Sequence, residues 1–293
     1  MANVAVINGS SRGLGLAFSR YLLSNTSLNV VSTSSRDASK ARKAILEDSS
    51  IKEEDVKDRL TTLDLDVTDE RSIENAAKQV KERFGGGNLR LLINVAGILH
   101  PEKSIQKVNY DDLLETFKIN TFGHMMTFKH FVPLLPGKSK EHDYSNDPAK
   151  GLIKPNLSVL ASMTARIGSI GDNNSLGGWY SYRTSKAATN QLIKTLNLEL
   201  ARASGAGGTT SKSDRASNDA IAVALHPGTL LGTDLSKPFV DPSKNDKDTK
   251  EKEGKKGVHE PSVGAEMLMQ VLKGLDKGQG GKFFDYAGKE IPW

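Results

Sequence analysis

The chain has 293 residues, with 27 glycines, 10 prolines and no cysteine. This glycine and proline content is ordinary for a globular protein, so it excludes collagen-like and wholly disordered chains. The lack of cysteine excludes disulfides, catalytic thiols, iron–sulfur clusters and cysteine-ligated zinc. A chain of this size can bury about three quarters of its unfolded surface, so its fold needs no such support.

Lysine and arginine number 40 against 35 acidic residues, which gives a net charge of +5. Six of the lysines lie between 244 and 256, so the excess is partly a property of one segment. No basic stripe with interleaved aromatic residues occurs, and we therefore expect no nucleic-acid partner. No apolar run approaches the roughly 18 residues of a membrane helix, and residues 1–7 already read as a strand. We expect no membrane association, no targeting segment and a cytoplasmic location.

Short apolar runs alternate with helix-length amphipathic segments, and this pattern builds βαβ units and a parallel sheet. It predicts strands at 3–7, 28–33, 59–66, 89–95, 156–162, 220–226 and 282–286. The clearest helices are predicted at 13–24, 69–84, 110–135, 182–202 and 262–274. Thr68 is a candidate cap for the second of these helices. The predicted fold class is α/β, a doubly wound parallel sheet of about seven strands with helices on both faces.

Three polar segments interrupt the alternation, at 137–156, 203–219 and 236–260. Strand and helix signals resume on both sides of each segment in the same order. We therefore interpret them as surface insertions and predict a single domain over residues 1–293.

A glycine-rich turn, Asn8-Gly-Ser-Ser-Arg-Gly-Leu-Gly15, joins the first strand to the first helix. Glycine lets the backbone turn tightly and approach a pyrophosphate, whose charge is met by free N–H groups at the helix start. Such a turn can also occur without a ligand. However, residues 64–68, 94–97 and 227–228 also follow strands, and the carboxyl ends of parallel strands form one crevice. This convergence favours a dinucleotide site.

Tyr182 and Lys186 are four residues apart, which places them on one face of a helix. This spacing arises often by chance, so its weight depends on the residues around it. Ser162 closes the fifth strand, and Asn120 lies in the long helix after the fourth strand.

Alternatives remain open for three of these positions. Ser169 and Ser175 lie closer than Ser162 to Tyr182 in the sequence. Asn120 could serve only to cap a break in its helix, because asparagine competes with the helical backbone for hydrogen bonds. Tyr180 could replace Tyr182, but it lacks a lysine four residues later.

The glycine turn, Asn94-Val-Ala-Gly97, Asn120, Ser162, the Tyr-x-x-x-Lys pair and Pro227-Gly228 together resemble the short-chain dehydrogenase/reductase family in its single-domain form. The resemblance runs from residue 2 to about residue 293. Segments 97–104, 166–172 and 226–229 are similar to the C-factor-like or sniffer-like carbonyl reductase group. The resemblance implies a Rossmann-type fold and an oxidoreductase that transfers a hydride between NADP(H) and a carbonyl or alcohol substrate, in the direction of aldehyde or ketone reduction.

The resemblance also implies roles for the four catalytic candidates. Tyr182 would protonate the substrate oxygen as general acid. Lys186 would hold the nicotinamide ribose and lower the Tyr182 pKa, because a nearby ammonium favours the phenolate. Ser162 would donate a hydrogen bond to the substrate oxygen, and Asn120 would support a proton-relay water.

The implied cofactor contacts are Gly9, Ser11, Arg12, Gly13, Leu14, Gly15, Arg36, Asp66, Val67, Asn94, Ala96, Gly97, Tyr182, Lys186, Pro227, Gly228 and Thr229. The second strand has no carboxylate before Asp37, and Arg12 and Arg36 could grip a 2′-phosphate, so we expect NADP rather than NAD. The six histidines form no metal-binding pattern, and we expect no metal.

Two other functions remain open. The first is a catalytically idle NADP(H)-binding protein that senses redox state or signals to a partner. The second is an epimerase or dehydratase, although such chains usually carry a longer C-terminal substrate region. The resemblance is compatible with a homodimer that forms through the helices at 110–135 and 182–202.

Overall fold

A computed structural model describes residues 3–35, 37–137, 146–173, 177–203, 220–236 and 257–293. Arg36 and Ser175 fall outside these ranges. Of the three segments predicted as insertions, at 137–156, 203–219 and 236–260, residues 138–145, 204–219 and 237–256 also lie outside the described residues.

All seven predicted strands are present and form one parallel sheet. In chain order its strands are β1 (Val4–Asn8), β2 (Asn29–Ser34), β3 (Leu60–Asp64), β4 (Leu89–Asn94), β5 (Ser158–Met163), β6 (Ala220–His226) and β9 (Phe283–Asp285). Two short strands, β7 (Thr229–Leu230) and β8 (Val258–His259), pair separately. The order across the large sheet is β3-β2-β1-β4-β5-β6-β9.

The described helices are α1 (Gly13–Asn25), α2 (Ala38–Leu46), α3 (Glu53–Val56), α4 (Glu70–Phe84), α5 (Tyr110–Phe117), α6 (Gly123–Phe131), α7 (Tyr180–Ala203) and α8 (Pro261–Lys273). Side chains alternate between the two faces of a strand, and β1 is buried on both. Its Ala5 and Ile7 join a core cluster with α1, α2 and α8. Its Val4 and Val6 join a second cluster with α4, α6 and α7. The doubly wound prediction is therefore confirmed.

Two local predictions are corrected. The helix predicted over 110–135 is broken by a π-helical turn at Lys118–Phe122 and ends in a 3₁₀ turn at Val132–Leu134. The cap of α4 is Asp69, whose carboxylate accepts from the Arg71 N–H at 2.9 Å. Thr68 instead donates its hydroxyl to Asp66 at 2.7 Å, because the Asp66 carboxylate closes a tight turn there.

The chain builds β1 to β3 outwards on one side of β1 and then returns to place β4 on its other side. In a doubly wound sheet, the crevice at this switch, outside the carboxyl ends of the strands, is where ligands bind. The parallel register aligns Asn8 of β1 with Asn94 of β4, and Asn94 with Ser162 of β5. Three polar side chains thus stand in a row at this edge. Within the ranges that the structure describes, no helix combines the length and apolar character needed to cross a membrane.

Candidate active site

The glycine turn after β1 depends on the absence of side chains. Gly9 has a φ of 86°, and a Cβ there would lie 2.8 Å from the Ala96 nitrogen. A Cβ on Gly15 would collide with the carbonyl oxygen of Gly9. Any larger residue at these two positions would push β1 away from β4 or α1 away from the turn. The turn is therefore as compact as the sequence predicts.

Helix α1 begins at this turn with its first N–H groups unfilled by side chains. Its N-cap residue, Arg12, makes no capping hydrogen bond, and no acidic residue lies in the first turn. The free N–H groups and the positive end of the helix dipole suit a phosphate. Arg12 is exposed and pairs with the Asp234 carboxylate at 2.5 Å. This end of the crevice therefore fits the pyrophosphate of a dinucleotide.

Several other predicted cofactor residues border the same crevice. Ser11 is exposed beside the turn, and Leu14 is buried under it. Asp66 and Val67 follow β3, where one Asp66 oxygen accepts from the Thr68 N–H at 2.8 Å.

The segment after β6 also reaches the carboxyl edge. Gly228, between Pro227 and Thr229, has a φ of 77°, and a Cβ there would lie 2.6 Å from the Gly257 carbonyl oxygen. The Thr229 N–H donates to that same carbonyl oxygen at 2.7 Å. This segment is therefore fixed to the short strand pair β7–β8.

Tyr182 and Lys186 lie together on α7, as their spacing predicts. The Lys186 ammonium is 5.6 Å from the centre of the Tyr182 ring and donates to the Met163 carbonyl at 2.9 Å. Both side chains are buried, with 7% and 3% of their surface exposed. The Tyr182 hydroxyl makes no hydrogen bond with any residue in the described ranges. It is thus a donor without an intramolecular acceptor there.

Burial governs the ionisation of both groups. It raises the pKa of Tyr182 well above the usual value of a phenol and lowers the pKa of Lys186 to about 7. The net shift of the Tyr182 pKa is therefore opposite to the one expected from Lys186, because the cost of burying the phenolate outweighs its stabilisation by the ammonium. At neutral pH the phenol keeps its proton.

Asn120 occupies the π-helical turn that separates α5 from α6. Its amide bridges the backbone of Ile98 in both directions, accepting at 2.8 Å and donating at 3.0 Å. A Cβ on Gly97 would lie 3.3 Å from the Asn120 Oδ1 and 3.5 Å from the Lys186 Nζ. The ends of both side chains therefore lie close to Gly97. π-Helical turns of this kind are frequent at functional sites.

Ser162 is placed differently from the sequence-based expectation. It is fully buried, and its Oγ lies 3.1 Å from Nδ1 of His124 on α6. The His124 Nε2 lies 2.8 Å from the Ala96 carbonyl, which can only accept, so Nε2 carries the proton and Nδ1 accepts from Ser162. The Ser162 hydroxyl is thus directed to His124 rather than presented to the crevice.

The alternative hydroxyls near Tyr182 are also occupied. Thr164 donates to Asn190 at 2.7 Å. Ser169 donates to the Pro292 carbonyl and accepts from the Asp172 N–H at 2.9 Å. Between β5 and α7, each serine or threonine hydroxyl that the structure describes therefore already donates a hydrogen bond within the protein.

Two residues of this site were missed by the sequence analysis. His124 entered the sequence analysis only as one of six histidines that form no metal-binding pattern, although it follows Asn120 by four residues, a spacing that indicates a shared face. Glu102 is buried, and its carboxylate accepts from the N–H and hydroxyl of Ser181, next to Tyr182. Its second oxygen has no partner among the described residues. No sequence signal distinguishes this glutamate from a surface one.

A polar network lies beneath the crevice. The Asn8 amide donates to the Asn94 Oδ1 and to the Thr127 hydroxyl, both at 3.2 Å. The Asn94 amide in turn approaches the His124 carbonyl at 3.5 Å. Asn94 is fully buried, so it supports the crevice floor from below. The described ranges contain no group of three or more His, Asp or Glu that could hold a metal ion.

Known proteins resemble this chain in both sequence and fold. A family model described as short chain dehydrogenase matches residues 3–142. The short-chain dehydrogenase anuI of Penicillium roqueforti is 31% identical over 209 residues, covering 67% of this chain and 73% of its own. The C-signal protein of Myxococcus xanthus is 28% identical over 207 residues, covering 71% and 94%. The crystal structure of NADPH-bound carbonyl reductase from chicken fatty liver superposes with a TM-score of 0.71 and 25% identity, covering 100% and 99%.

Proposed function

Because the chain belongs to the short-chain dehydrogenase/reductase family of oxidoreductases, we propose that it reduces an aldehyde or ketone with NADPH. The observation that carries this proposal is the pair of Tyr182 and Lys186, buried together beside Gly97 at the carboxyl edge of the sheet. A protein that only binds a dinucleotide needs the glycine turn, but it does not need an unpaired phenol beside an ammonium.

The residues present fit a dinucleotide. The uncapped start of α1 and the positions where Gly9 and Gly15 admit no Cβ would hold the pyrophosphate. Gly97, Lys186 and the Pro227–Thr229 segment would hold the nicotinamide end. When bound, NADPH supplies the hydride that reduces the carbonyl carbon.

The protein's own contribution is to orient the carbonyl and protonate its oxygen. Tyr182 is protonated at neutral pH because burial raises its pKa, so it is in the correct state to act as general acid. Its proton moves to the substrate oxygen as negative charge develops there, and the phenolate that remains is stabilised by the Lys186 ammonium. Asn120 fixes the Ile98 backbone and would support the water that returns a proton to the site.

The preference for NADP over NAD is supported at the end of β2. The next carboxylate along the chain, Asp37, caps α2 by accepting from the Ser39 and Lys40 N–H groups, which commits its Oδ1 to the helix. Arg12 lies exposed at the mouth of the crevice and could exchange Asp234 for a 2′-phosphate. We expect Arg36→Asp combined with Arg12→Ala to erode the preference for NADPH. An unchanged ratio of kcat/KM for the two cofactors would place the phosphate elsewhere.

The decisive experiment assays a panel of aldehydes and ketones with NADPH, comparing the wild type with Tyr182→Phe. We expect loss of the general acid to lower kcat by at least ~100-fold, because proton transfer by a positioned group contributes about 10²–10⁴. Tyr180→Phe is the matched control, since it makes the same change two residues away on the same helix at a more exposed side chain. Equal turnover in wild type and Tyr182→Phe would remove Tyr182 from the mechanism.

An NADP(H)-binding sensor or signalling protein is the second candidate. It is favoured by the hydrogen bonds that every described serine and threonine hydroxyl of 158–186 already makes, since carbonyl reduction would then rely on the Tyr182 hydroxyl alone. Tight NADPH binding with no turnover on any carbonyl would support this candidate over the reductase.

We also propose a homodimer through the α5–α6 and α7 surfaces. Phe122, Met125 and Leu198 are 47%, 42% and 50% exposed there, although they are apolar. Light scattering of the purified protein measures its mass directly, and a monomeric mass at micromolar concentration would contradict this proposal.

A further inference from the structure

The buried pair of His124 and Ser162 has no assigned role in the reductase described above. His124 lies on α6 and is fully buried, and its two ring nitrogens contact two different strand ends. One contact is the Ala96 carbonyl after β4, and the other is the Ser162 hydroxyl at the end of β5. The imidazole therefore joins two neighbouring segments of the crevice floor.

Both joined segments approach Lys186 one residue further along the chain. Gly97 follows Ala96, and a Cβ built on Gly97 would lie 3.5 Å from the Lys186 Nζ. Met163 follows Ser162, and its carbonyl accepts from the same Nζ at 2.9 Å. The imidazole thus fixes the spacing of the two backbone segments that flank the ammonium.

The protonation state of the imidazole is set by its partners. The Ala96 carbonyl requires a proton on Nε2, and the Ser162 hydroxyl then donates to Nδ1. Burial and the neighbouring Lys186 charge lower the pKa of His124 to about 3, so the ring remains neutral and the arrangement persists at physiological pH. A hydroxyl that donates to His124 has no proton left for a substrate.

We propose that His124 and Ser162 form a positioning pair that holds Lys186 against Tyr182, and that Ser162 does not contact the substrate oxygen. This inference rests on the proposed reductase function, because it concerns the same site. It replaces the role expected for Ser162 from the sequence.

The first test compares the kcat values of Ser162→Ala, Tyr182→Phe and Ser158→Ala in the carbonyl assay. We expect Ser162→Ala to lower kcat by less than ~10-fold, whereas Tyr182→Phe lowers it by at least ~100-fold. Ser158→Ala is the matched control, since Ser158 is a buried serine of the same strand that donates to Leu89 at the opposite end. If Ser162→Ala is as impaired as Tyr182→Phe, with unchanged NADPH affinity, Ser162 contacts the substrate and the proposal is overturned.

The second test separates positioning from stability. His124→Leu removes both contacts, whereas His124→Asn keeps an acceptor near the place of Nδ1. We expect His124→Leu to lower kcat by about 10-fold or more with the carbonyl KM within about twofold, because a small displacement of a catalytic group is costly, and we expect His124→Asn to recover most of the loss. Equal kcat in the two variants would overturn the proposal, whichever of them unfolds at the lower temperature.

These outcomes remain distinct from failure of the proposed function. If Tyr182→Phe retains full turnover, the reductase mechanism is wrong whatever the His124 variants do. If no carbonyl is reduced, the pair is tested by NADPH affinity, measured by fluorescence titration. A wild-type affinity in His124→Leu would then contradict the proposal, because Ala96 and Gly97 border the cofactor crevice.

Discussion

Lys186 is the clearest case in which the structure predicts a pH dependence of stability. Its pKa falls from 10.5 to about 7 because burial disfavours the ammonium. In the unfolded chain the lysine returns to its ordinary value. Between pH 7 and 10.5 the unfolded state therefore binds more protons than the folded state, and the free energy of unfolding must rise with pH in that range.

The magnitude follows from the size of the shift. Each unit of pKa corresponds to about 1.4 kcal/mol, so a buried ammonium costs about 5 kcal/mol at pH 6 and about 1 kcal/mol at pH 10. Lys186→Met removes the charge and keeps a side chain of similar length. We expect the wild type to gain about 4 kcal/mol relative to this variant between pH 6 and pH 10.

Urea unfolding of the cofactor-free protein at pH 6, 8 and 10 measures this difference, because the titration of all other groups cancels between the two proteins. Lys194→Met, at an exposed lysine of the same helix, should give no such trend. If the difference between wild type and Lys186→Met stays constant within about 1 kcal/mol, Lys186 is not a desolvated ammonium and the electrostatic account of the site fails.

Three further outcomes are expected. Gly9→Ala should lower the free energy of unfolding by about 1–3 kcal/mol and weaken NADPH binding, because Gly9 has a positive φ and a Cβ there would collide with Ala96. Calorimetry measures the first effect and fluorescence titration the second. Gly86→Ala, where a Cβ meets nothing within 4 Å, should change neither. Because the pKa of His124 is lowered to about 3, the free energy of unfolding should fall as the pH drops below 6.5. In acid unfolding followed by circular dichroism, the free energy of unfolding of His124→Asn should fall by about 3 kcal/mol less than that of the wild type between pH 7 and pH 4. Parallel curves for the two proteins would contradict this. Asp69→Ala should cost about 1 kcal/mol in urea unfolding, and no loss would remove Asp69 as the cap of α4.

The sheet could be predicted from the sequence because strands such as β1, β4 and β6 are apolar runs bounded by polar residues, and the β-branched residues of β2 and β3 continue the same alternation with helices. Helix α2 was missed because only Ala41 and Ile45 are buried on it, so its apolar stripe is too narrow to give a helical period. The break at 118–122 was missed for a different reason. Its residues do not oppose an α-helix, and the π-helical turn is imposed by tertiary contacts of Asn120 with Ile98 and Ser185.

In the site, local spacing was predictable and side-chain direction was not. The pair of Tyr182 and Lys186 follows from four-residue spacing on one helix. Ser162 was correctly placed at the end of a strand, but the direction of its hydroxyl depends on His124, 38 residues earlier in the chain. The pKa of Tyr182 was predicted with the wrong sign, because a sequence identifies a neighbouring charge more easily than the burial that outweighs it.

The π-helical turn also constrains how this stretch of chain can change. It accommodates about one residue more per turn than an α-helix, so it takes up an extra residue while α5 and α6 keep the relative rotation of one continuous helix. Deleting a single residue between 118 and 122 would let the two segments merge into one regular helix, with the side chains of α6, including His124, still directed as before. The widened turn that carries Asn120 would be lost, and with it the amide that holds the Ile98 backbone. The extra residue in this stretch therefore serves Asn120 rather than the helices on either side of it.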